Sequence, residues 1–202
     1  MVVVRTAIAA DAPGIREIYA PHVLADAITF ETQIPSEQEF ESRIAKCLQK
    51  FPWLVCIIEN EIAGYVYASP HRDREAYQWT CECSVYVSDK HQGKGIAKNL
   101  YAVLFRLLKM QGLVNLYAGI TLPNKGSVSL HEHCGFVKFA EYESIGYKLG
   151  TWHKVGWWKF LLNENDSTPS SPLPYSELNS SVLLQYFSEA AAAIKMKMVN
   201  GR

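Results

Sequence analysis

Two hydrophobic periods divide most of the chain into strands and helices. Apolar residues at alternate positions predict strands, whereas apolar residues three and four positions apart predict helices that bury one face. The predicted strands cover residues 2–7, 53–59, 62–69, 80–87, 114–121, 136–146 and 153–162. The predicted helices begin near Asp11, Ser36, Ile96 and Asn124, and a proline or glycine ends the later three, at Pro52, Gly112 and Gly135.

The order of these elements predicts the fold class. It is β-α-α-β-β-β-α-β-α-β-β. Because helices join only some successive strands, we expect an α/β domain with a mixed, mostly antiparallel sheet flanked by helices. We expect this single domain to occupy residues 1–162.

The composition changes after residue 162. Residues 163–181 are rich in serine and proline, which predicts a polar linker. In residues 182–202 an apolar stripe of Leu183, Phe187, Ala190 and Ile194 predicts one helix. We favour an accessory tail outside the domain, whose removal leaves a folded protein. The alternative is a helix that binds a partner or clasps a dimer.

Charge and cysteine content argue against several classes of protein. Twenty Lys and Arg balance twenty Asp and Glu, whereas nucleic-acid-binding proteins are usually basic. No apolar run is long enough to cross a membrane, and we see no signal peptide. The five cysteines lack framework spacing, and Cys81-x-Cys83 lacks a second pair, which predicts buried thiols and no metal site. We therefore expect a cytoplasmic protein that binds neither nucleic acid nor membrane.

A candidate phosphate site lies where the strand over residues 80–87 leads into the helix that begins at Ile96. A short polar loop with Gly93 and Gly95 separates the two. Glycines let a ligand approach the backbone, and free N–H groups in the first helical turn favour an anion. The loop lacks the Lys-Ser/Thr pair of a P-loop, and Asn99 stands where a dinucleotide-binding motif needs its third glycine.

Four segments, in order, carry a resemblance to a known family. They are Trp79-Thr80-x-Glu82-x-Ser84-Val85-Tyr86-Val87, the loop Gln92-Gly93-Lys94-Gly95-Ile96-Ala97, Leu122-Pro123-Asn124-x-x-Ser127-Val128-x-Leu130-His131-Glu132-x-x-Gly135-Phe136, and Gly146-Tyr147-Lys148-x-Gly150-x-Trp152-His153-x-Val155. Together they resemble the phosphinothricin N-acetyltransferase family of the GNAT superfamily, from about residue 4 to residue 162. The resemblance implies the GNAT fold, acetyl-CoA as co-substrate, and a homodimer with the pocket near its interface.

The resemblance also implies the residues that bind acetyl-CoA. The pyrophosphate would lie on the loop formed by Gln92, Gly93, Lys94, Gly95, Ile96 and Ala97. The acetyl group and pantetheine arm would lie along Val85, Tyr86 and Val87, with Asn124 as a further contact. The central strands of such folds separate, which leaves backbone groups near these residues free to pair with the co-substrate.

Two residues are candidates for the chemistry of amine acetylation. An amine arrives as an ammonium and must lose a proton before it attacks a thioester, and a carboxylate can accept that proton, usually through water. Glu82 matches the catalytic glutamate of the family and lies on the strand face opposite Cys81 and Cys83. The alternative for Glu82 is an ion pair with an arginine across the sheet. His131 could protonate the leaving thiolate or orient water, or it could be a structural histidine.

The loop before the central strand suggests an anionic substrate. Arg72, Arg74 and Tyr77 resemble a family pattern whose members acetylate small amino acid analogues, and two arginines suit a carboxylate or phosphinate. Phe30 matches a family position that walls the substrate pocket. The alternative for the arginines is a solvated loop in which they pair with Asp73 and Glu75.

Three functions follow from these residues. The first is an acetyl-CoA-dependent N-acetyltransferase that acts on the free amino group of a small amino-acid-like substrate. The second is a protein or peptide N-acetyltransferase with the same fold. The third is an acyl-CoA-binding module without turnover. An intact loop and the presence of Glu82 favour the first.

Overall fold

A seven-stranded sheet organises the protein, and the computed structural model describes residues 1–164 and 168–200. The strands are β1 (Val2–Thr6), β2 (Trp53–Ile58), β3 (Glu61–Pro70), β4 (Thr80–Val87), β5 (Asn115–Leu122), β6 (Val137–Lys148) and β7 (Thr151–Leu161). The helices are α1 (Ala12–Leu24), α2 (Glu37–Lys50), α3 (Ile96–Met110), α4 (Lys125–His133) and α5 (Ser180–Asn200). The predicted order of elements is confirmed, and the strand boundaries move only slightly. Among the described residues, no helix combines the length and apolar content needed to cross a membrane.

The sheet has a gap at its centre. Its strands lie in the order β1-β2-β3-β4-β5-β7-β6, and every neighbouring pair is antiparallel except the parallel pair β4 and β5. That parallel pairing covers only residues 80–82 against residues 115–117. Beyond these residues the two strands separate, so the later backbone groups of β4 do not pair with β5. The predicted mixed, mostly antiparallel sheet is confirmed.

Polar side chains fix the starts of two helices. The Ser36 hydroxyl accepts the Glu39 N–H and the Glu39 carboxylate accepts the Ser36 N–H, which forms a capping box at α2. The Asn124 side chain accepts the Ser127 N–H at 3.0 Å and caps α4. Asp11 lies at the start of α1, but its side chain does not cap the helix, because its carboxylate accepts the Ile8 N–H and pairs with the Arg5 guanidinium.

Two hydrophobic layers cover the two faces of the sheet. One layer contains Cys81 and Cys83 of β4 together with Leu100 and Leu104 of α3. The other layer packs α1 and α2 on the opposite face, with the members Ile15, Tyr19, Phe40, Ile44, Trp53 and Tyr65. The predicted alternation of β4 is therefore confirmed, and it directs Glu82 away from the layer that contains the cysteines.

The C-terminal segment is part of the first layer, which differs from the expected accessory tail. Helix α5 packs against β1 and α3, and it buries Phe187, Ala190 and Ile194 in the same core cluster as the cysteines. Before it, the Tyr175 hydroxyl lies 2.6 Å from the Thr6 hydroxyl. The apolar stripe that predicted a helix covers sheet and helix surface that would otherwise be exposed.

The predicted linker also makes specific contacts with the domain. The Gln111 side chain donates to the Leu173 carbonyl at 2.7 Å, and the Trp79 indole donates to the Ser170 carbonyl at 2.7 Å. Residues 165–167 of this linker and residues 201–202 of the predicted tail lie outside the described residues. The boundary of the domain at residue 162 stays a prediction.

Candidate active site

The glycine loop has the backbone shape that the sequence predicts for an anion site. Gly93 and Gly95 have φ angles of 74° and 78°, in the left-handed region that favours glycine. Gly95 is the N-cap of α3, so the N–H groups of the first turn, including those of Ile96 and Ala97, have no partner within the helix. A Cβ added to Gly93 would find no atom within 4 Å. A phosphate can therefore approach the backbone at Gly93 directly, and the loop fits the pyrophosphate of acetyl-CoA.

The side chains of Gln92 and Lys94 contact residues of the turn just before the glycine loop. The Gln92 amide donates to the Asp89 carboxylate at 2.8 Å. The Lys94 ammonium donates to the Lys90 carbonyl at 3.0 Å and lies 2.9 Å from the His91 ring. Both side chains point back onto the preceding turn, so their contact with a phosphate stays a prediction.

Helix α5 reaches this loop, which the sequence did not indicate. A Cβ added to Gly95 would lie 2.9 Å from Cδ of Lys197. Lys197 comes from the segment that we expected to lie outside the domain. No local motif links the two residues, because only the packing of α5 on α3 brings them together.

A narrow cavity of about 90 Å³ lies in the gap between β4 and β5. Ser84, Val85 and Tyr86 line it from β4, and it is also lined by His131 of α4 and by Asn124, which caps that helix. These four predicted residues (Val85, Tyr86, Asn124 and His131) therefore meet at one place, where the free edge of β4 can pair with an amide-containing arm. Val87 does not line this cavity and borders a separate one of about 480 Å³.

His131 is buried at the narrow cavity, and both of its ring nitrogens have partners. Nδ1 lies 2.7 Å from the Ser127 carbonyl, which can only accept, so Nδ1 carries the proton. Burial lowers the pKa of His131, so the ring is neutral at pH 7. Nε2 then accepts the Tyr101 hydroxyl at 2.8 Å. This arrangement orients Tyr101, and a role of His131 as proton donor to a thiolate stays a prediction.

A second cavity, here called the aromatic cavity, lies next to the narrow one. Its volume is about 420 Å³, and its lining includes Phe30, His71, Arg72, Glu82 and Trp157. Three further residues, Ile28, Gly119 and Thr121, line both this cavity and the narrow one. The two cavities therefore meet at the centre of the sheet, beside the end of the β4–β5 pairing.

Glu82 has a partner that the sequence analysis missed. Its Oε1 lies 2.8 Å from Nδ1 of His71, and neither side chain is fully buried. The His71 ring is surrounded by the rings of Tyr117, Trp157 and Tyr77, at centroid distances of 5.0, 6.1 and 6.2 Å. The arginine partner considered for Glu82 is thus replaced by a histidine. No sequence motif links His71 to Glu82, eleven residues later. The antiparallel register of β3 and β4 brings the two together.

A buried lysine holds Phe30 at the aromatic cavity. The Lys148 ammonium donates to the His22 and Thr29 carbonyls at 2.8 Å each, and burial lowers the pKa of Lys148. These bonds join β6 to α1 through His22 and to the connection between α1 and α2 through Thr29. Gly146 leaves room for the Phe30 ring, because a Cβ there would lie 2.6 Å from it.

The three residues predicted to bind an anion, Arg72, Arg74 and Tyr77, do not all line the same cavity. Arg72 lines the aromatic cavity with Glu82. Arg74 and Tyr77 line a different cavity of about 460 Å³, which Arg72 also borders. Among the described residues the arginines in ion pairs are Arg5, Arg43 and Arg106, so the alternative pairing of the loop arginines with Asp73 and Glu75 does not form.

Comparisons with known proteins agree with this geometry. A family model described as acetyltransferase (GNAT) domain matches residues 4–157. The phosphinothricin N-acetyltransferase of Streptomyces viridochromogenes is 36% identical over 171 residues, which cover 85% of this chain and 91% of that protein. The L-methionine sulfoximine/L-methionine sulfone acetyltransferase of Salmonella typhimurium is 31% identical, with 80% of this chain and 95% of that protein covered.

A solved structure agrees as well. The crystal structure of a GNAT phosphinothricin acetyltransferase from Sinorhizobium meliloti, in complex with AcCoA, superposes with a TM-score of 0.80. It is 32% identical, and the match covers 87% of this chain and 97% of that one. With the glycine loop, the central gap and these relatives in agreement, the chain belongs to the GNAT acetyltransferases, in the phosphinothricin N-acetyltransferase family, and acetyl-CoA is its co-substrate.

Proposed function

We propose that this enzyme transfers the acetyl group of acetyl-CoA to the free amino group of a small amino-acid-like acid. Phosphinothricin, methionine sulfoximine and methionine sulfone are the substrate types, because relatives that act on them cover most of this chain. The observation that carries the proposal is the meeting of two cavities. Arg72 and Glu82 share the aromatic cavity, and that cavity joins the gap beside β4.

The chemistry is direct attack of the amine on the thioester, which acetyl-CoA supplies in activated form. Glu82 provides the negative charge that removes a proton from the incoming ammonium. Arg72 holds the acid group of the substrate by a charge-assisted hydrogen bond. The unpaired backbone of β4 and the first turn of α3 hold the co-substrate at the opposite end of the passage.

The predicted homodimer is part of the proposal. The β6–β7 hairpin exposes a group of large apolar side chains: Val137, Phe139, Tyr142, Ile145, Tyr147, Leu149 and Trp152. Tyr142 and Ile145 also line the aromatic cavity. A second copy that covers this surface would bury apolar area and close the cavity. Light scattering after gel filtration tests this point, and a monomer at micromolar concentration would contradict it.

We also propose a cytoplasmic location. The five cysteines are free thiols, and burial raises the pKa of Cys47, Cys56 and Cys83 to about 12. Such thiols are typical of a reducing compartment. Fractionation of cells that produce the protein tests the location.

Thiol release from acetyl-CoA against a panel of amines tests the function. L-methionine sulfone is compared with the amine that lacks only its carboxylate, and with a peptide that has a free N-terminus. The proposal expects turnover of the acid and little turnover of the other two. Preference for the peptide would favour a peptide N-acetyltransferase. Binding of acetyl-CoA without turnover of any amine would favour a module without activity.

A further inference from the structure

We propose that His71 is a catalytic residue, which accepts the amine proton at Nε2 while Glu82 holds and neutralises its ring. The inference rests on the proposed function and specifies how the proton leaves. It replaces a water between Glu82 and the amine by an imidazole of the chain itself. Both residues line the aromatic cavity where the amine must enter.

The hydrogen bond to Glu82 selects one tautomer of the neutral His71 ring. His71 Nδ1 lies 2.8 Å from the Glu82 carboxylate. A carboxylate only accepts, so Nδ1 carries the proton and Nε2 keeps its lone pair. Among residues 1–164 and 168–200, the His71 ring has this one side-chain hydrogen bond. Nε2 is therefore available as a base.

Among the groups around the His71 ring, Glu82 is the nearest one whose negative charge can stabilise a protonated ring. Tyr117 of β5 and Tyr77 of the short turn before β4 are the other titratable groups at the ring, and Trp157 approaches from β7. Arg72 follows His71 in the chain and lines the same cavity. A carboxylate that orients a histidine and stabilises its charged form is an established arrangement for proton abstraction.

The proton and electron balance is complete with the two known reactants. The ammonium gives one proton to His71 Nε2, and the freed lone pair forms the C–N bond to the acetyl carbon. The C–S bond breaks, and sulfur leaves with the electron pair of that bond. The second amine proton goes to the sulfur, and His71 returns its proton to water.

The test compares pH profiles of kcat/KM for L-methionine sulfone in His71→Gln, Glu82→Gln and wild type. The acid limb of such a profile reports protonation of the group that accepts the amine proton, so loss of that group removes the limb. We expect His71→Gln to lower kcat/KM roughly 10²–10⁴-fold and to remove the acid limb. Glu82→Gln should also lower kcat/KM but retain an acid limb, because the imidazole is still present. His133→Gln on the exposed face of α4 is the control and should match wild type.

The opposite pattern would overturn the proposal. If His71→Gln keeps the wild-type limb and Glu82→Gln loses it, Glu82 acts directly or through water. The tautomer of the His71 ring can be measured as well, and this measurement does not require turnover. A long-range ¹H–¹⁵N spectrum of the free protein should show the Nδ1–H form for the signal that His71→Gln removes, and Nε2–H would contradict the geometry. If no amine is acetylated, the proposed function fails while this spectrum still tests the pair.

Discussion

The two ends of the proposed catalytic passage are built from different parts of the chain. The proposed acetyl-CoA end offers mainly backbone groups, and most of them lie in one stretch, residues 85–97. The proposed amine end offers side chains from four separate segments: Phe30, His71 with Arg72, Glu82, and Trp157. The first end depends on φ angles that only glycine adopts easily, whereas the second depends on strand register and long-range packing.

This difference shows why one end could be predicted and the other only in part. A backbone site leaves a local signature, because glycines at fixed spacing before a helix have few other uses. A side-chain site leaves residues such as His71 that look ordinary until the sheet assembles. It also means that a substitution at one end should leave binding at the other end intact.

The largest expected effect is at the amine end. Glu82→Gln keeps the shape of the side chain and removes its charge, so kcat should fall roughly 10²–10⁴-fold at neutral pH. The affinity for acetyl-CoA, measured by calorimetric titration, should stay at the wild-type value. A parallel loss of acetyl-CoA affinity would show that the two ends are not separable.

The next effect concerns the support of the acetyl-CoA end by α5. Phe187 is buried against the layer that contains α3, so Phe187→Ala should lower the free energy of unfolding by about 3–5 kcal/mol. Leu184→Ala is the matched control, because Leu184 lies on the same helix and is 67% exposed. This variant should change the free energy of unfolding by no more than about 0.5 kcal/mol. Urea denaturation measures both variants. Equal stability of the two would mean that α5 is an accessory tail after all.

A smaller effect should separate the two arginines of the substrate loop. Arg72→Ala should raise KM for L-methionine sulfone on the order of 10–100-fold, because a charge-assisted contact contributes roughly 1.5–3 kcal/mol. Arg74→Ala should raise it less, because Arg74 lines a neighbouring cavity. KM for acetyl-CoA should not move in either variant. Equal effects of both replacements would place Arg74 in the substrate site as well.

The smallest effect is a pH dependence of stability at His131. Burial lowers the pKa of the folded-state ring below its ordinary value of 6.5, so the unfolded chain binds the proton more readily. Stability should therefore fall as pH drops below 6.5, by less than about 1.4 kcal/mol per pH unit. In His131→Gln the fall in Tm between pH 7 and 5 should be shallower than in His133→Gln. Identical slopes would contradict a buried neutral ring.

Particular residues show how far sequence reasoning reached. The order of elements, the alternation of β4 and the left-handed glycines followed from periodicity and local conformation. Phe30, Arg72 and Glu82 were placed in one pocket by resemblance, and they line one cavity. The His71 partner of Glu82 and the Lys148 contacts were missed, because each joins segments with no shared motif. The packing of α5 was also missed, since a helical stripe does not say what it covers.

The most direct test of the account is calorimetric titration of acetyl-CoA into three variants, each with one glycine that flanks α3 replaced by valine. Gly93→Val and Gly95→Val block the backbone at the start of the helix, whereas Gly112→Val puts a valine at a similar left-handed φ, 84°, beyond its end. We expect the first two to bind acetyl-CoA on the order of 10–100-fold more weakly, since charge-assisted contacts of roughly 1.5–3 kcal/mol are lost. Gly112→Val should bind like wild type. Wild-type affinity in folded Gly93→Val and Gly95→Val proteins, or an equal loss in Gly112→Val, would contradict a co-substrate site made from this backbone.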